Sequence, residues 1–129
     1  MRLFDTDILI DHFHGHQAAL EFIATSLGQG ETLAVSVVTL TELLGGMRPG
    51  EEERTEGLLR LFTILPVDEI VGRQAAVYLR QFRRDHRIEL GDALIAATAQ
   101  QHGAELFTRN LRHYPMTDIS VTAPYQRGK

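Results

Sequence analysis

Acidic residues recur in this sequence just after short apolar runs. Asp5 and Asp7 follow RLF, Glu42 lies on the segment after LAVS, and Asp92 follows Gly91 at the head of a nearly continuous apolar stretch. Thr108 and Asn110 follow ELF in the same way. Carboxylates and neutral oxygens are hard donors, and gathered together without cysteine they suit Mg²⁺ or Mn²⁺. Such ions, singly or in pairs, stabilise the charge that develops in phosphoryl and phosphodiester displacement.

Each acid also has a plainer reading. Asp5 and Asp7 suit the end of a strand and the start of a helix. Thr39 and Glu42 have the spacing of a capping box, and Asp92 suits a helix N-cap. What capping alone does not account for is an acid at three consecutive strand exits.

Such a set needs elements that carry these ends to one place. Residues 2–5 read as a strand, with a helix opening at residues 6–7 and a loop over 12–16. A helix follows over 17–27, with Leu20, Ile23 and Leu27 on one face and Gly28 and Gly30 at its end. Strands are predicted over 32–36, 63–67, 104–108 and 119–122. Helices are predicted over 37–46, 51–62, 69–86 and 92–102, the last stopped by Gly103. In the 69–86 helix Val71, Ala75, Tyr78 and Phe82 form one apolar stripe. The alternation predicts an α/β fold, an α/β/α sandwich with a mostly parallel central sheet. Ligands of such sheets bind at the carboxyl ends of the strands, where the acids lie.

The length of 129 residues is that of a single domain, read as residues 1–129. With 43% hydrophobic and 23% charged residues the chain is neither disordered nor collagen-like. The lack of cysteine excludes disulfides, iron–sulfur clusters, thiolate zinc sites and a cysteine nucleophile, and makes the cytoplasm the expected compartment. No run approaches the ~18–20 apolar residues of a membrane span. Asp5 and Asp7 interrupt the first residues, so no signal-peptide core is expected there. The net charge of −4 is not that of a bulk nucleic-acid binder, but two divalent ions would neutralise it. Of the 13 basic residues 12 are arginine, and Lys129 is the one lysine.

The segments LFDTDILID, VSVVTLTELLGG, GDALIAATAQQHG and ELFTRNLRHYP together resemble PIN-domain ribonucleases, in particular VapC-type toxins of bacterial toxin–antitoxin pairs. The resemblance runs over nearly the whole chain, in order. It implies a PIN-like fold and a metal-dependent endoribonuclease with Asp5, Glu42 and Asp92 as the catalytic, Mg²⁺- or Mn²⁺-holding acids. Asn110 occupies the fourth acidic position without a charge, which leaves the number of ions at one or two. Thr6, Asp7 and Thr108 flank the site as supporting residues. The implied reaction is in-line attack of water on phosphorus, expelling the 3′ oxygen and leaving a 5′-phosphate on RNA. The resemblance also implies a cognate VapB-type antitoxin and a homodimer, with the Gly-rich break at 45–50 near the partner groove. No membrane partner is expected.

Other features are less pointed. Arg109 and Arg112 lie beside the acids and suit RNA phosphate contact. Arg80, Arg83, Arg84 and Arg87 suit either RNA or a solvated helix end. His12, His14 and His16 read as loop residues, and Glu51, Glu52 and Glu53 as an acidic first helical turn. Two other functions compete. One is a non-catalytic PIN-like interaction module, which Asn110 leaves open. The other is an aspartate-nucleophile phosphatase, which the strand followed by D-T-D resembles. That chemistry uses a lysine, and this chain offers only Lys129.

Overall fold

The computed structural model describes residues 1–126, apart from the side chains of Arg83 and His86. Lys129 therefore lies outside the described residues, as does the Arg83 side chain. Five short strands form the centre: β1 (Arg2–Phe4), β2 (Leu33–Ser36), β3 (Thr63–Leu65), β4 (Glu105–Phe107) and β5 (Val121–Thr122). Their order is β3-β2-β1-β4-β5, and every pairing is parallel. The sheet is thus wholly parallel, where a mostly parallel one was expected.

Six α-helices cover it: α1 (Thr6–Phe13), α2 (Gln17–Gly28), α3 (Val37–Gly46), α4 (Glu52–Leu59), α5 (Glu69–His86) and α6 (Leu90–His102). Successive strand residues point to opposite faces, and the sequence fills both. Leu3, Ala34 and Leu106 pack with Val71, Ala75 and Tyr78 of α5 and with the alanine-rich face of α6. Phe4, Leu33, Val35 and Phe107 pack on the other face with Ile8 and Leu9 of α1, Ile23 of α2 and Leu58 of α4. Two cores on either side of one sheet make the α/β/α sandwich.

Element ends differ from the sequence expectation for identifiable reasons. α1 runs on through His12 and Phe13 rather than ending before them. Phe13 packs against the second core, and the Arg54 guanidinium lies 4.2 Å over its ring while Nη2 donates to its carbonyl at 2.7 Å. α2 buries Ala19, Ile23 and Ser26, leaving Leu27 43% exposed. Ser26 turns inward because its Oγ accepts a 2.7 Å hydrogen bond from Arg2, whose guanidinium lies over the Phe22 and Phe107 rings. β3 stops at Leu65, just before Pro66, which has no N–H to continue the ladder. Gly103 ends α6 at φ 59, a left-handed turn that disfavours any residue with a Cβ.

Candidate active site

β1 is the middle strand. The chain leaves it for β2 on one side and reaches β4 on the other, so the loops after β1, β2 and β4 diverge around a crevice. A cleft of about 390 Å³ opens there. Its lining includes Asp5, Asp7, Glu42, Glu89 and Asp92, with Thr6, Asn110 and His113. The acids singled out in the sequence come together, and Glu89 joins them.

Asp5 is the residue at which β1 becomes α1. It is only 7% exposed, and Oδ1 accepts the Thr6 N–H at 2.8 Å as the N-cap of α1. Oδ2 accepts the Thr108 hydroxyl at 2.8 Å and the Tyr114 hydroxyl at 3.0 Å. One lone pair on Oδ1 therefore remains for another partner. Thr108 is fully buried, accepts the Asn110 N–H at 3.0 Å, and also lies 3.3 Å from Asp7 Oδ2. A single hydroxyl proton thus stands between two carboxylates.

Glu42 is no capping residue. The N-cap of α3 is Ser36, whose Oγ accepts the Val38 N–H. Glu42 lies a turn further on and accepts the Thr6 hydroxyl at 2.5 Å. Thr6 and Thr39 Oγ1 are 2.9 Å apart. Thr6 has one hydroxyl hydrogen, and the carboxylate takes it, so Thr39 is the donor in that second bond. Asp92 does take part in capping, at the third position of α6 rather than at its N-cap: Oδ2 accepts the Glu89 N–H at 3.1 Å. The same oxygen lies 3.5 Å from His113 Nδ1.

Burial, and next the charge of Asp7, push the Asp5 carboxyl up to about 7, against the opposing hydrogen bonds of Thr108, Thr6 and Tyr114. Burial also raises Asp7, opposed chiefly by the Arg109 N–H and guanidinium. Tyr114 is buried beside Asp5 and Asp92, which holds its hydroxyl well above the ordinary tyrosine value and keeps it a proton donor.

These features fit a hard divalent cation. One carboxylate oxygen, Asp7 Oδ1, is buried without a hydrogen-bond partner, and five carboxylates line one cleft. Among the described residues no three His, Asp or Glu side chains close on one point as a ready ion cage. Mg²⁺ needs no such cage, since it keeps several waters and binds through one or two carboxylates.

The sequence profile of the PIN domain matches residues 2–118. The chain belongs to the PIN-domain family. Among curated proteins this PIN domain is 44% identical over 117 residues to Ribonuclease VapC10 of Mycobacterium tuberculosis, covering 90% of this chain and 87% of the relative. It is 38% identical to Ribonuclease VapC19 of the same species, covering 90% and 94%. Among solved structures it resembles a toxin–antitoxin complex from Klebsiella pneumoniae, with 31% identity and a TM-score of 0.78 over 98% of this chain and 100% of that one. FitAcB from Neisseria gonorrhoeae gives 28% identity and a TM-score of 0.77, covering 96% and 98%.

Other residues of this PIN domain divide clearly. The Arg109 guanidinium pairs at 2.7 Å with Asp11, which is fully buried, and its backbone N–H binds Asp7 Oδ2 at 3.0 Å. Arg109 therefore holds the site's frame, whereas Arg112 stays exposed. The histidines at 12, 14 and 16 gather around no metal-holding group among the described residues; His16 stacks on Tyr125 at 5.4 Å. Tyr114 escaped the sequence reading, and Thr39 entered it only through its capping-box spacing with Glu42. Thr39 is a polar residue between Val38 and Leu40, whereas nothing in the residues beside Tyr114 marks it.

Proposed function

We propose that this PIN domain is a divalent-metal-dependent endoribonuclease, acting in the cytoplasm as the toxin of a VapBC-type toxin–antitoxin pair. The observation that carries the reading is five carboxylates lining one cleft at the sheet's switch point, in a chain 44% identical to a protein named as a ribonuclease. Asp5, Glu42 and Asp92 are the catalytic acids and hold Mg²⁺ or Mn²⁺ directly or through water. When bound, the ion supplies Lewis-acid charge for a phosphodiester and lowers the pKa of a water.

The chain's own groups prepare the cleft. Thr108 and Tyr114 fix Asp5 through Oδ2 and leave Oδ1 with acceptor capacity. The Thr39–Thr6 pair fixes Glu42. The Glu89 N–H and His113 orient Asp92. An acidic cleft repels RNA, so positive charge is needed at its rim. Arg112 and Arg87 line a hollow of about 440 Å³. The chain strips that carry them, 87–89 and 111–113, also carry the cleft residues Glu89 and His113. Neither arginine has an ion-pair partner among the described residues, which suits both to RNA phosphates.

A second groove of about 340 Å³ between α1, α3 and α4 is lined by Ile10, Phe13, Leu43 and Met47, and shares Ile10 and Glu42 with the cleft. A cognate antitoxin seated there would reach the acids directly. Induced expression in a bacterial host tests the toxin reading. Growth should stop, and Asp92→Asn or co-expression of the antitoxin should restore it. Equal arrest by wild type and Asp92→Asn would contradict the assignment.

A further inference from the structure

Asp7 stands two residues after Asp5 in the first turn of α1 and lines the same cleft. Its two oxygens are treated very differently. Oδ2 accepts the Arg109 N–H at 3.0 Å and the Asn110 Nδ2–H at 3.2 Å, and lies 3.3 Å from the Thr108 hydroxyl. Oδ1 is buried and completes no hydrogen bond, though the Ile8 N–H also acts on this carboxylate. A buried carboxylate oxygen without a donor is costly, more so than a neutral acceptor in the same place. The Arg109 guanidinium lies on Asp11 at 2.7 Å, so that cation gives Oδ1 no hydrogen bond.

Asn110, on the other side of the cleft, brings an amide where a carboxylate would have brought charge. Its Nδ2–H points to Asp7 instead. Asp7 and Asn110 thus form one unit, with the negative charge on the α1 side and the amide on the β4 side. We propose that Asp7 is the fourth carboxylate of the divalent-ion site. Its Oδ1 serves as ligand to the ion or to a water on it, and supplies the charge that Asn110 lacks. The inference rests on the divalent-ion reading above and adds a residue to it. It also makes Asp7 a functional residue rather than a flanking polar one.

The charge-exchange pair tests this directly. In Asp7→Asn the side-chain oxygen still accepts the Arg109 N–H, so the loop keeps its tie while the charge is lost. In the double variant Asp7→Asn/Asn110→Asp the charge moves from the α1 side of the site to the β4 side. Mn²⁺ binding is measured by calorimetry on metal-free wild type and both variants, beside their metal-free melting curves. Asp7→Asn should weaken Mn²⁺ binding by about tenfold or more, with a metal-free melting point no lower than wild type. The exchanged variant should recover to within about threefold of wild type. Wild-type affinity in Asp7→Asn overturns the inference. Weak binding in both variants also overturns it, since the charge then would not be what matters. A lowered metal-free melting point in Asp7→Asn together with weak binding makes Asp7 a loop tie and overturns it as well. Wild type that binds no Mn²⁺ overturns the divalent-ion reading itself, and this inference with it.

Discussion

Asp5 caps α1 through one oxygen, receives two hydroxyls on the other, and is still held near 7 by burial and by Asp7. Its folded value lies above its ordinary value of 3.8, so the folded protein favours the proton. The stability this confers is full below the ordinary value and is lost as pH rises through about 7. The metal-free melting point should therefore fall between about pH 4 and pH 7, and Asp5→Asn should flatten that slope. Over the same interval Mn²⁺ affinity of the wild type should rise, because an ion binds the deprotonated carboxylate. Tyr114→Phe removes one donor to the carboxylate. It should move the pH midpoint of Mn²⁺ binding upward and cost about 1 kcal/mol of stability in denaturant titrations. At this scale the sequence showed the acids well, because Asp5, Glu42 and Asp92 each follow a strand or open a helix. It hid what Thr39 and Tyr114 do. Their hydroxyls reach Thr6 and Asp5 across 33 and 109 residues of chain, a contact that only packing creates.

Elements hold the acids at their spacing, and the tie between α1 and the loop after β4 is the one most open to test. Asp11 is fully buried, forms an ion pair with the Arg109 guanidinium at 2.7 Å and accepts the Tyr125 hydroxyl. Arg109 in turn presents its N–H to Asp7. Removing one partner of a buried pair leaves the other uncompensated, at a cost of about 3 kcal/mol. Asp11→Ala should therefore lower the melting point by roughly 10 °C. An unchanged melting point would show that the pair adds nothing. Helices 37–46 and 69–86 were legible to the residue, because their apolar spacing and flanking breakers agree with their packing. The end of α1 was not legible. The Arg54 contact that supports Phe13 comes from a helix far along the chain. The capping box read at Thr39 and Glu42 failed because Ser36 caps α3 first, which frees Glu42 for the cleft.

At the scale of the whole molecule, strand alternation between two packed faces made the α/β/α architecture legible. Leu3 and Phe4 already go to different cores. What the sequence could not show was that two hollows would share residues. Ile10 and Glu42 line both the acidic cleft and the groove beside it. Met47→Glu, in that groove but outside the cleft, should weaken antitoxin binding by about tenfold or more, since it buries a charge in an apolar contact. It should leave RNA cleavage by the free toxin intact. Loss of cleavage in Met47→Glu would show that the two hollows work as one.

The central claim is that these acids and a divalent ion cut RNA. The most direct measurement is incubation of total cellular RNA with the purified protein in Mg²⁺, Mn²⁺ or EDTA, beside an identically purified Asp5→Asn variant. Discrete fragments that depend on the metal, vanish in EDTA and are absent from the variant are the predicted result. Equal cleavage by both proteins, or no cleavage of any RNA by a wild type loaded with metal, would contradict the account.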